Sequence, residues 1–293
     1  MKQITKAISA ILLITLLLAF SLTDAMASGE SCKAIFDLEK EVMDWGEGVS
    51  KVHIKFEDEV DASSVDAETF SVLVGTAKRE ITRVEVIGSE VIITIKTVQM
   101  TTGVSFPIRN YSVSQNKSFI MASGKEVAAE SATYEAGEVY NAQTEKFSYH
   151  TSESGMNYRM YTPPLEDGKE YAVLFWLHGY MQGGDDNEKQ ILGSRVPNFA
   201  SGEVQAKFGG MYVVAPQNPE DEETWSWMQT DETGRSSSLP VLISLIREVI
   251  SKNRIDPDRV YIGGFSAGGF MTWHTILEYP ELFAAAIPVC SAY

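Results

Sequence analysis

The sequence predicts two folded units in series, an all-β sandwich and then a doubly wound α/β sheet. Three observations predict them. A period-two pattern runs from Phe36 to about Tyr140, buried strands alternate with helices from about Glu145, and a glycine-flanked serine sits at a strand-to-helix turn. Composition permits both units: of 293 residues, 44% are hydrophobic and 22% charged, a globular balance at two-domain length. Lys plus Arg is 24 against 40 Asp plus Glu, a net charge of −16. That sign argues against a nucleic-acid partner, whose phosphates need clustered Lys and Arg. It also disfavours docking on an anionic membrane. Two cysteines make no disulfide framework, and no C-x-x-C spacing marks a zinc site. No metal and no cofactor is expected.

Residues 1–27 read as an export signal. Lys2 and Lys6 precede an almost wholly apolar run, Ala7 to Phe20, and Ala25-Met26-Ala27 supplies the small-x-small cleavage pattern. The apolar run is shorter than the roughly 20 residues of a spanning helix. Cleavage after Ala27 leaves 266 residues (293 − 27) and a charge of −17, from −16 − 2 + 1 for Lys2, Lys6 and Asp24. Gly29-Glu30-Ser31 ahead of Cys32 is a poor lipid-attachment match, so the mature protein is expected outside the cytoplasm, secreted and without a membrane anchor.

Residues 28–142 carry the strand pattern. Val52, Ile54 and Phe56 alternate with Lys51, His53 and Lys55. Val84 to Ile87 and Val91 to Ile95 flank a hairpin turn at Gly88-Ser89-Glu90. Phe70 to Val74 and Tyr111 to Val113 add further strands, and no long helix-periodic segment interrupts them. The sum is a β-sandwich. The acidic run Glu57-Asp58-Glu59 with Asp61 reads as a solvated turn before it reads as a calcium loop. With its Asp61 to Val65 turn, the stretch Val49 to Val74 resembles bacterial immunoglobulin-like modules.

Residues 143–293 carry the α/β pattern. Tyr171 to Leu177 is a continuous apolar run, as expected of a strand buried on both faces. Met211 to Val214 and Val260 to Ile262 are two more. Between them Leu239, Leu242, Leu245, Ile246, Val249 and Ile250 fall on one helix face, with Pro240 in its first turn. Asp256-Pro257-Asp258 is read as the turn into the next strand.

The chemistry concentrates at Gly264-Phe265-Ser266-Ala267-Gly268, a G-x-S-x-G between a strand and a helical run, Ala267 to Leu277. A serine in so tight a turn needs neighbours two positions away without side chains, and Gly264 and Gly268 meet that need. The turn lifts the hydroxyl out of the sheet as a nucleophile. The strand ending at Leu177 runs into His178-Gly179-Tyr180. The loop after that strand and the residue after the serine are where two oxyanion N–H donors belong, here the amides of Tyr180 and Ala267. Gly179 allows close approach, and His178 reads as an organiser of the loop.

Ile255 to Tyr261 leading into the serine turn, with His178-Gly179 and Gly184-Asp185-Asp186-Asn187, resembles secreted esterases of the polyhydroxybutyrate-depolymerase-like group of α/β-hydrolases. Some members carry an N-terminal immunoglobulin-like domain. The resemblance implies that Ser266 attacks an ester carbonyl, on a small-molecule or polymer-linked substrate. It also implies that Trp225 and Trp227 border the acyl pocket; such aromatics equally pack a loop. Where the family often has Arg-Gly, this chain has Gly183-Gly184.

In that fold the chain order is serine, acid, histidine. Only 27 residues follow Ser266 (293 − 266), with His274, Glu278 and Glu281 among them. His274 lies eight positions into the helix, a rise of about 12 Å, out of reach of the serine hydroxyl. His53 points outward on a strand of the sandwich, and His150 precedes the first buried strand. The acid and the histidine are therefore expected beyond residue 293, in a further ~80–120 residues judged from domain size. The fragment alone is expected to be weak or inactive. Cys290 could pair with a cysteine there. The alternatives are a prolyl-oligopeptidase-type serine peptidase, against which no propeller repeat is found, and a non-catalytic extracellular binding protein with a degenerate hydrolase half.

Overall fold

The computed structural model describes residues 32–98, 110–219, 226–232 and 234–291. The expected signal segment and Trp225 lie outside them. Among the described residues no helix is long and apolar enough to cross a membrane.

The first unit is built from β1 (Lys33–Met43), β2 (Gly46–Lys55), β3 (Phe70–Val74), β4 (Ala77–Lys78), β5 (Ile81–Ile87), β6 (Glu90–Ile95), β7 (Tyr111–Gln115), the short pair β8 (Phe119–Ile120) and β9 (Glu126–Val127), and β10 (Thr133–Tyr140). A five-stranded sheet, β10-β1-β2-β6-β5, faces a three-stranded one, β4-β3-β7. Alternation fills the space between. Phe36 and Leu38, Val52 and Ile54, and Val91, Ile93 and Ile95 pack from one sheet onto Phe70, Val72 and Val113 of the other. The β5–β6 turn is two residues, Gly88-Ser89, with Gly88 at φ +60°, and Glu90 is already paired with Ile87. Glu57, Asp58 and Glu59 are exposed, and Asp61 caps a short 3₁₀ turn, Ala62–Ser64.

His53 departs from expectation. It sits on the outer face but is 8% exposed. Its Nε2 lies 2.8 Å from Glu39 Oε2 and its Nδ1 3.0 Å from Glu90 Oε1, with the Tyr140 ring alongside. Cross-strand carboxylates cover a position that period two alone places in solvent.

The second unit contains β11 (Ser148–Thr151), β12 (Asn157–Tyr161), β13 (Tyr171–Leu177), α1 (Gly202–Phe208), β14 (Met211–Gln217), α2 (Leu239–Lys252), β15 (Ile255–Phe265), α3 (Ala267–Glu278) and β16 (Ala285–Val289). The sheet order is β11-β12-β14-β13-β15-β16, antiparallel over the first three strands and parallel from β14 onward. β13 is buried on both faces. Tyr171, Val173, Phe175 and Leu177 pack under α2 and α3, while Ala172, Leu174 and Trp176 meet Ile191, Val196 and Val204 on the other side. The predicted face of α2 is buried except for the half-buried Ile250, and Ile243 joins it.

Asp256-Pro257-Asp258 does not form the turn. The turn is at Asn253-Arg254, and β15 has begun by Ile255. Tyr171 pairs with Ile255 and Val173 with Val260, so Asp256 to Arg259 bulge out of the ladder. Pro257 has no N–H to give a ladder. Asp256 accepts from the Asp258 amide at 3.0 Å and pairs with Arg259 at 2.7 Å, which makes a bulge look turn-like in sequence.

From β13 the chain winds to β14 on one side, and from β15 it winds to β16 on the other. The switch falls between β13 and β15. Open α/β sheets place ligands outside the carboxyl ends of the strands at such a point.

Candidate active site

Ser266 stands at that switch point, between the end of β15 and the start of α3, at φ 55° and ψ −114°. No L-residue adopts this region cheaply; the cost is about 1–3 kcal/mol. The surroundings hold it. The Ser266 amide donates to Val289 O at 2.9 Å, and Phe270 N donates to Ser266 O at 3.0 Å. A Cβ on Gly264 would lie 2.4 Å from Gly268 O, and one on Gly268 would lie 2.0 Å from Leu177 O. The two glycines let β15, α3 and the end of β13 touch backbone to backbone.

The loop after β13 comes to the same place. Leu177 pairs with Gly264, and a Cβ on Gly179 would lie 3.2 Å from the Phe265 ring and 3.4 Å from Phe265 O. His178 is buried behind it. Its Nδ1 is 2.8 Å from Gly179 O, and its Nε2 is 3.1 Å from the Asn218 amide. A carbonyl can only accept, so Nδ1 carries the hydrogen and Nε2 accepts from Asn218. Gly179 O belongs to the same planar peptide as the Tyr180 N–H. Fixing the carbonyl fixes the opposite direction of that N–H.

Residues 156–292 match the family described as Esterase PHB depolymerase, and residues 39–86 match the Esterase Ig-like N-terminal domain. The crystal structure of a thermostable esterase superposes with TM-score 0.73 at 28% identity, over 87% of this chain and 76% of that one. The chain joins an Ig-like domain to a PHB-depolymerase-type esterase domain. Its fold is the α/β-hydrolase fold behind that Ig-like module. Poly(3-hydroxyalkanoate) depolymerase C of Paucimonas lemoignei is 33% identical over 82 residues, 27% of this chain and 20% of that protein. Feruloyl esterase B of Thermothelomyces thermophilus is 26% identical over 104 residues, 35% of this chain and 34% of that protein. The chain thus spans a fifth to about a third of the length of these two relatives.

All four histidines of the chain are described, and their surroundings differ from that of a base beside Ser266. His53 belongs to the Ig-like domain. His150 on β11 stacks on Tyr158 at 4.9 Å and meets Ser148 Oγ at 2.7 Å. His178 spends both nitrogens on backbone. His274 is buried on α3 with its ring 4.3 Å from that of Phe270. Glu278 pairs with Arg235, and Glu281 is exposed.

Trp227 is corrected. It is 0% exposed, with its ring 5.1 Å from that of His178. It supports the loop from within the esterase core and presents no face to a pocket. Its aromatic character was legible, but its direction depends on the His178 ring, distant in sequence. Sequence reasoning missed two residues of the loop's polar frame. Gln182 Oε1 accepts from the Gly179 amide at 2.9 Å. Gln217, fully buried, accepts from Asn187 N at 2.6 Å and donates to Asp186 Oδ1 at 2.7 Å. Burial raises the Asp186 carboxyl, but hydrogen bonds from Gln217, Lys189 and the Glu188 and Lys189 amides outweigh it and hold it at about 2. A glutamine closing an otherwise apolar buried strand was the available signal for Gln217.

Burial holds the His178 imidazolium pKa down at about 4; the bond to Gly179 O opposes this only in part. The unfolded ring takes its proton near pH 6.5. The contribution of His178 is therefore full above about pH 6.5 and is lost as pH falls toward 4, on the order of 3 kcal/mol across that window. The denaturation midpoint should drop between pH 7 and pH 4.5, with a shallower drop in His178→Gln, whose side chain does not titrate. Equal slopes would assign the acid sensitivity to other groups.

Proposed function

We propose that this protein is a secreted serine hydrolase of carboxylic esters, small or polymer-linked, working through an acyl-enzyme at Ser266. The observation that carries the reading is Ser266 itself. It is a non-glycine residue at φ 55° on a strand-to-helix turn, at the switch point of the sheet, with the Gly179 loop packed on the residue before it. The relatives, a polyhydroxyalkanoate depolymerase and a feruloyl esterase, favour ester substrates over peptides. In the proposed reaction Ser266 Oγ adds to the ester carbonyl and the alcohol leaves with a proton. Water then cleaves the acyl-serine to acid and free enzyme. The amides of Tyr180 and Ala267 are the proposed oxyanion donors, each worth about 2.7–4 kcal/mol of barrier. The reading also needs a general base for Ser266 and an acid to orient it.

A fluorophosphonate probe should modify the full-length protein at one site, identified by peptide mass spectrometry as the Ser266 Oγ. Nitrophenyl acetate should be turned over and a peptide anilide should not. Labelling elsewhere, or peptide turnover with no ester turnover, would remove the esterase reading.

A further inference from the structure

The Gly179 peptide units are held from two sides. His178 takes the carbonyl, as above. Gln182, three residues on, takes the amide at 2.9 Å through Oε1. The other end of the same carboxamide leans on Gly193: a Cβ there would lie 2.0 Å from Gln182 Nε2. The Gln182 backbone carbonyl also accepts from Gln217 Nε2 at 3.4 Å. The wall behind Gln182 is itself tensioned. Ser194 and Arg195 are both left-handed, at φ 53° and 50°, which costs about 1–2 kcal/mol for each such residue. The Ig-like domain holds that bend through the tip of its β1–β2 hairpin. Asp44 O accepts from Ser194 N at 3.4 Å, and Asp44 Oδ1 pairs with Arg195 Nε at 2.9 Å.

Resting on the esterase reading, we propose that Gln182 is a positioning residue for the oxyanion loop. Its carboxamide wedges between Gly179 and Gly193, and the Asp44 tip of the Ig-like domain braces the wall it leans on. Gln182 touches no reacting atom. It sets where the Tyr180 amide points, and a displacement of about 1 Å in such a donor can cost a hundredfold in rate.

The test uses the full-length protein and nitrophenyl acetate. Gln182→Ala should lower kcat about 10- to 100-fold, with KM and the unfolding midpoint nearly unchanged. Gln182→Glu keeps an acceptor for the Gly179 amide and should restore most of kcat. Gly193→Ala collides only with the end of a flexible side chain, so it should fold and reproduce the kcat defect. Asp44→Ala should lower kcat less, and should add nothing in the Gln182→Ala background, because both act through one contact chain. Hydrogen exchange of the peptide spanning residues 178–184 should quicken in Gln182→Ala, a readout independent of activity. Wild-type kcat and exchange in Gln182→Ala would overturn the proposal. So would a full additional loss from Asp44→Ala in the double variant, for the brace. A wild-type protein inert to ester and probe would overturn the esterase reading instead, and exchange would still decide the clamp.

Discussion

Ser266→Ala should reduce ester turnover by on the order of 10⁴- to 10⁶-fold, the scale seen when a serine nucleophile is removed. It should leave KM for the residual reaction almost unchanged. Stability should separate two replacements. Alanine keeps a Cβ at φ 55° and ψ −114° and so keeps the strain. Ser266→Gly relieves it and should raise the unfolding free energy by about 1 kcal/mol, net of the entropy glycine adds to the unfolded chain. A protein that is inactive yet more stable is the signature of strain held at a working residue. The measurements are initial rates on nitrophenyl acetate and urea denaturation of wild type and both variants. Ester turnover by Ser266→Ala at a tenth of wild type or better would assign the chemistry to another group.

Gly268→Ala should be the most damaging small substitution in the esterase domain. The new Cβ would lie 2.0 Å from Leu177 O, 2.5 Å from Leu177 C and 2.7 Å from His178 O. All three are backbone atoms at the end of the central strand, so no side-chain rotation clears the clash. Either α3 shifts away from β13 or the loop carrying Gly179 moves. The expected cost exceeds about 4 kcal/mol, the range reserved for core disruption, and the protein should express poorly or unfold at a much lower denaturant concentration. Gly202→Ala is the control. It opens α1, and a Cβ there meets nothing within 4 Å. Its effect should stay within about 0.5 kcal/mol. Equal stability of the two variants would mean that α3 and β13 are not in the contact described.

Much of this architecture was readable from local pattern. Tyr171 to Leu177 could be placed as a doubly buried strand because every residue is apolar, and each is indeed buried. The α2 face could be placed because its spacing matches one helix stripe. The serine turn could be placed because glycines at both flanks of a strand–helix junction have few other uses. The failures have a common cause. Asp256-Pro257-Asp258 has the composition of a turn, yet β13 and the bond from Arg259 keep the segment in the sheet as a bulge. His53 has the spacing of a solvent position, yet Glu39 and Glu90 from neighbouring strands close over it. Trp227 has the look of a pocket aromatic, yet His178 fixes its ring inside.

By itself the sequence determined the two kinds of sheet, their order along the chain, and the position of the serine turn. Each of these follows from residues adjacent in the chain, through side-chain period, chain reversal and the space a glycine leaves. Only the tertiary structure decided how the turn is loaded and how the neighbouring loop is held. The contacts responsible join Gly268 to Leu177, His178 to Asn218, Gln182 to Gly193, and Asp44 to Arg195. Their members are far apart in sequence or carry no pattern of their own. The first three become neighbours only when the parallel strands bring their carboxyl ends together, and the last only when the Ig-like hairpin tip meets the loop.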